Sequence, residues 1–158
     1  MATSRARRQP PPRVNAALPT RRSPASQRVS LVYREARRAT GELFVTSGLG
    51  GLYGELTQDS MGAVLAAIDR HAPLRGRRFL DVGSGLGLPV LHAASLGARA
   101  AGIELCASRH MLAVAALART SSALNGGGAR FWHGAAENLA WDADVVYVRR
   151  FACPKGQK

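Results

Sequence analysis

The sequence predicts an α/β domain built on a parallel, doubly wound sheet. Short apolar runs alternate with helical stretches. The first run empties into a glycine-rich turn, and a second run ends on an acid, Glu104, 21 residues after Gly83. With 158 residues, the chain is long enough for one hydrophobic core and too short for two.

The elements follow in chain order. Residues 1–28 are built from Arg, Ala, Ser and Pro and carry no acid. Such a segment buries too little apolar surface to offset its ordering entropy, so a disordered basic tail is expected there, with the folded domain at 29–158. A short helix is expected from Val29 to about Arg38, with Gly41 as its stop. A glycine-rich loop follows, from Ser47 to Gly54. After the N-cap candidates Asp59 and Ser60, apolar side chains at Met61, Val64, Leu65 and Ile68 give the stripe of an amphipathic helix that ends near Pro73.

Residues 78–82 read as a buried strand that turns through Gly83-Ser84-Gly85-Leu86-Gly87 into a helix, with Pro89 in its first turn. Further strands are expected at 100–104, 129–132 and 145–148, and a helix from about Ser108 to Ala123. Crossovers of this length are right-handed.

Charge and composition narrow the function. The net charge is +12, yet residues 1–38 hold ten arginines against Glu35 alone, so the folded part is close to balanced. The tail fits a solvated extension, an Arg- and Ser-rich transit peptide, or an arm that neutralises nucleic-acid phosphates. Two cysteines, Cys106 and Cys153, make no disulfide framework, and a reducing compartment is expected. No apolar run approaches the roughly 20 residues that span a bilayer, so no membrane partner is expected. His71, His92, His110 and His133 have no metal-ligand spacing. Cys106 reads as a small thiol at a helix start, and Trp132 and Trp141 as core aromatics. No residue is assigned to catalysis, and no metal is expected.

The chemistry collects at the strand carboxyl ends. Gly83, Gly85 and Gly87 let backbone approach a ligand closely. Glu104 can accept hydrogen bonds from two ribose hydroxyls, and Asp81 can hold an ammonium group. A dinucleotide pyrophosphate is usually met by Gly-x-Gly-x-x-Gly. Here the spacing is Gly-x-Gly-x-Gly behind an acid, which disfavours phosphate and suits the amino-acid end of S-adenosylmethionine.

These residues also resemble a family. Tyr53-Gly54-Glu55, then Leu80 to Gly87, then Gly102-Ile103-Glu104, and finally Val145 to Ala152 are similar to the non-SET histone H3 lysine-79 methyltransferases of the disruptor of telomeric silencing type. The resemblance covers about Tyr53 to Cys153. It implies a Rossmann-like class I methyltransferase sheet, here truncated after the fourth strand, which then becomes an edge. It also implies S-adenosylmethionine as cofactor, held by Asp81, Gly83, Gly85, Gly87 and Glu104, with Glu55 in a loop that closes over the methionine end. The implied substrate is histone H3 in the nucleosome, with DNA contact through the basic tail; the alternatives are a class I methyltransferase for another acceptor, or a non-catalytic cofactor-binding or interaction module. The implied location is the nucleus, and a transit peptide would instead imply the mitochondrion or plastid. The chain departs from the family at Leu56, Leu88, Ala135 and Ala136, and Arg149-Arg150 stand at the positions of an Asn-Asn pair beside the lysine channel.

Overall fold

A computed structural model describes residues 23–46, 56–124, 126–138 and 140–149. The helices are α1 (Pro24–Thr46), α2 (Gln58–His71), α3 (Leu88–Ser95) and α4 (Ala107–Thr120). The strands are β1 (Arg78–Val82), β2 (Arg99–Glu104), β3 (Gly128–His133) and β4 (Val145–Val148). A 3₁₀ turn, Ser121–Ala123, finishes α4, and another, Ala136–Asn138, lies between β3 and β4.

The four strands form one parallel sheet in the order β3-β2-β1-β4. This is the α/β architecture that the alternation predicts. The chain winds outward from β1 to β3 and then jumps back past β1 to β4, so the direction of winding reverses beside β1. Open α/β sheets bind ligands outside the strand ends at such a reversal.

Register and pleat sort the strand residues into two faces. Phe79, Ala100, Ala129, Phe131, Val145 and Tyr147 share one face, where α3 and α4 lie, and α1 packs over both helices. The core there joins Val29, Val32, Tyr33 and Ala36 of α1 to Val90, Leu91 and Ala94 of α3 and Ala116 of α4. Each large side chain of this kind contributes roughly 1.5–3 kcal/mol when fully buried. The opposite face is crossed by the connection 134–144, which must pass from one sheet edge to the other. Trp132 on that face is 37% exposed and meets Trp141 of the connection edge-on, so it is not the core residue expected from the sequence.

Strands β2 and β3 run one residue past the expected bounds, to Arg99 and to Gly128 and His133, and helix ends differ more. Helix α1 begins at Pro24, inside the stretch assigned to the tail, because Ser23 caps it: the Ser26 amide donates to Ser23 Oγ at 3.2 Å. It then runs through Gly41, since a mid-helix glycine costs only about 1 kcal/mol relative to alanine. Helix α2 is capped by Thr57, whose hydroxyl accepts from the Ser60 amide, which places Asp59 in the first turn rather than at the cap.

Helix α3 is buried nearly all round. Its two buried polar side chains are satisfied. Tyr33 Oη and His92 Nδ1 are 3.3 Å apart, and Ser95 donates to the His92 carbonyl at 2.7 Å. Burial pushes the His92 imidazole down to about 4, so it is neutral near pH 7.

Candidate functional site

The glycine turn leaves β1 at Asp81-Val82 and is tied to β2 at once. The amides of Gly83 and Ser84 both donate to the Ile103 carbonyl at 2.9 Å. Gly87 then donates to the Ser84 carbonyl at 2.8 Å and opens α3. Gly83 and Gly87 have φ of 79° and 82°, left-handed values that favour glycine. Their surroundings differ. Among the described residues, a Cβ on Gly83 would meet nothing within 4 Å, whereas one on Gly87 would collide with the Phe131 ring. The structure therefore gives Gly87 a packing role, and no described side chain fills the space beside Gly83. Ser84 fits beneath the turn because Gly102 presents no side chain to it.

Two acids flank this turn. Asp81 is 2% exposed and Glu104 is 5% exposed. Both lie on the helix-covered face of the sheet, on neighbouring strands. Burial first, and the negative charge of Glu104 second, push the Asp81 carboxyl up to about 7. Glu104 is held from several sides. Its Oε2 accepts from the Gly85 amide at 2.8 Å. Its Oε1 accepts from the Cys106 amide at 2.8 Å and from Arg109 Nη2 and Nε at 3.0 and 3.2 Å.

The structure thus brings together Asp81, Gly83, Gly85 and Glu104, as the motif predicts. Glu55, along with Tyr53, Gly54 and Arg150, lies outside the described residues. Two participants are not named from sequence, Arg109 on Glu104 and Phe131 against Gly87, and Ser84 is named only as part of the turn, while its buried hydroxyl has no partner among the described residues. Arg109 lies in the first turn of α4, five residues beyond Glu104, and only the turn between strand and helix folds it back onto the acid. Tyr147, the register partner of Asp81 on β4, is raised by burial and then by the Asp81 charge, while Arg149 acts the other way.

The residues fit S-adenosylmethionine on their own chemistry. The set is two carboxylates over a glycine turn, with nothing against Gly83 and no partner for the Ser84 hydroxyl among the described residues. Such a set suits an ammonium and a diol and repels a pyrophosphate.

The parallel sheet, its order and its reversal beside β1 define a Rossmann-like fold. No family model matches the sequence, and no curated protein matches it. Among solved structures, it is similar to the magnesium protoporphyrin IX methyltransferase of Synechocystis PCC 6803. The form with bound SAH shows 16% identity over 80% of this chain and 58% of that one, with a TM-score of 0.50. The form with bound SAM shows 18% identity over 85% and 64%, also with a TM-score of 0.50. A structure from Pyrococcus horikoshii assigned as an RNA methyltransferase shows 17% identity over 64% and 55%, with a TM-score of 0.51. The chain therefore spans between 55% and 64% of the length of these structures. At these identities the likeness is one of fold.

Proposed function

We propose that this chain binds S-adenosylmethionine at the carboxyl ends of β1 and β2 and serves methyl transfer. The observation that carries the reading is the buried pair Asp81 and Glu104 astride the glycine turn. Asp81 takes the ammonium of the methionine end, and Glu104 takes the ribose hydroxyls. With no described side chain against it, Gly83 lets backbone lie against the ligand. The cofactor, when bound, supplies an electrophilic methyl group on sulfur. The protein's part is then to orient that methyl group and exclude water from it.

The family resemblance extends the proposal to a histone H3 lysine as acceptor, with nuclear location and DNA contact through the arginine-rich N-terminal residues. An amine acceptor must arrive neutral, although its reference pKa is about 10.4. Arg149, just past β4, favours the neutral amine and also opposes entry of the charged form. Calorimetry with S-adenosylmethionine tests the first part: no binding heat and no displacement by S-adenosylhomocysteine would end it. A radiolabelled-methyl assay on recombinant nucleosomes tests the second. Cofactor binding without label in histone H3 would leave the cofactor site standing and remove the histone assignment.

A further inference from the structure

The sheet face opposite α3 and α4 holds a second site, unrelated to the cofactor turn. A groove of about 630 Å³ runs along the first halves of the strands beneath the connection 134–144. That volume falls in the range of roughly 300–1,000 Å³ usual for ligand sites. Arg78, Arg99 and Arg130 line its floor, with Trp132 and Trp141 at one side and Asp142 at the rim.

The charge placement is unfavourable for stability alone. Faces of parallel sheets normally read as continuous apolar surface. Here Arg78 and Arg99 are direct register partners, and like charges set opposite each other on a sheet destabilise it. Asp142 and Asp144 answer Arg78 through its guanidinium. The Arg99 guanidinium donates to the Gly76 carbonyl at 3.1 Å, and neither Arg99 nor Arg130 has an acidic partner among the described residues. Among the described residues, the groove therefore keeps positive charge at Arg99 and Arg130 that no acid neutralises. Beside it, the indoles of Trp132 and Trp141 stand 5.2 Å apart at 72°, and the Trp141 N–H is fixed on the Ala136 carbonyl at 3.1 Å.

We propose that this groove binds single-stranded nucleic acid. The arginines track phosphates, and the indoles offer ring faces to unstacked bases, which a duplex keeps inside. The arginine-rich N-terminal residues carry the wrong charge to fill the groove. A second copy would set one arginine row against another.

The chain has two tryptophans, and both line this groove, so its intrinsic emission reads the groove whatever the N-terminal arginines bind. The full chain is titrated with a short oligothymidylate, with sodium polyphosphate and polyglutamate as competitors. Saturable quenching is expected, with both competitors acting only at far higher concentration. The paired substitution Arg99→Ser and Arg130→Ser should weaken binding about tenfold or more. It should also flatten the slope of log K against log salt by about 1.4, at roughly 0.7 per phosphate contact on single strands. Trp132→Leu should weaken binding and leave that slope unchanged. Absence of quenching overturns the proposal. So does polyglutamate competing as well as the oligonucleotide, which marks an acidic protein partner, or equal affinity for duplex. Emission that changes with protein concentration alone, alongside a dimer in sedimentation, also overturns it in favour of a second copy. None of these outcomes depends on S-adenosylmethionine binding, which all three substitutions should leave unchanged.

Discussion

The Arg109 guanidinium lies on Glu104, with Nη2 and Nε 3.0 and 3.2 Å from Oε1. With the Gly85 and Cys106 amides, this places four N–H donors on one carboxylate. An ionised carboxylate offers about four lone-pair sites. A ribose diol therefore has to displace a donor, and Arg109 supplies the only side-chain donors among these four, from a partly exposed position over a buried Glu104.

Removing that competitor should help binding. Partly exposed ion pairs are worth about 0.2–1 kcal/mol. Arg109→Ala is thus expected to tighten S-adenosylmethionine binding, up to about fivefold. Glu104→Ala should weaken it by roughly 1.5–3 kcal/mol, because charge-assisted bonds are lost. Calorimetry on both variants checks this, and weaker binding by Arg109→Ala would show that the guanidinium supports the ligand.

Cofactor affinity should depend on pH through Asp81. Its carboxyl titrates near 7 in the free chain, and an incoming ammonium favours the ionised form. Binding then releases a proton below that value, so affinity should rise from pH 6 to pH 8 and level off above. In Asp81→Asn the affinity should be lower and the dependence flat across the same range. Isothermal titrations in buffers of different ionisation enthalpy report the proton directly.

Asp81 and His92 should oppose each other in the pH dependence of folding. Asp81 has a raised pKa, about 7 against an ordinary 3.8, so stability falls as pH rises through that window. His92 has a lowered one, about 4 against 6.5, so stability falls as pH drops through its window. The windows overlap, and the urea midpoint of the wild type should change little from pH 6.5 to pH 4. Asp81→Asn leaves His92 unopposed, and its midpoint should fall on acidification over that interval. Asp144, held down to about 2 by hydrogen bonds from Arg78, adds its own acid loss only below about pH 4.

Gly83 and Gly87, both left-handed, should differ on substitution. Gly83→Ala carries the left-handed penalty alone, about 1–2 kcal/mol. Gly87→Ala adds a collision with Phe131 and should cost clearly more in thermal or urea unfolding. Phe131→Leu in the Gly87→Ala background should recover part of the loss. Equal costs at the two positions would remove the packing role given to Gly87.

Much of this fold was legible in the sequence because its strands have sharp chemical edges. β1 lies between arginines and Gly83, β4 between Asp144 and Arg149, and both were located at the observed bounds. The start of α1 was missed because the arginine-rich composition of 1–28 outweighed the local Ser23-Pro24 cap. Asp81 and Glu104 were visible because a motif fixes them relative to strand ends. Arg109 was not, since an arginine five residues after an acid reaches it only when a strand-to-helix turn intervenes. The exposure of Trp132 was equally hidden, because it depends on where the connection 134–144 crosses the sheet.

The shared hold of Gly83 and Ser84 on one carbonyl, that of Ile103, has a consequence for what the proposed site accepts. Asp81 and Glu104 sit on strands that are hydrogen-bonded neighbours, and the turn between them is clamped to the second strand. Their separation is therefore a property of the sheet. The two acids act as a fixed gauge of ligand length, one jaw for a cationic head and one for a sugar. A cofactor analogue lengthened by a single methylene between those groups should be refused even if every polar group on it is kept.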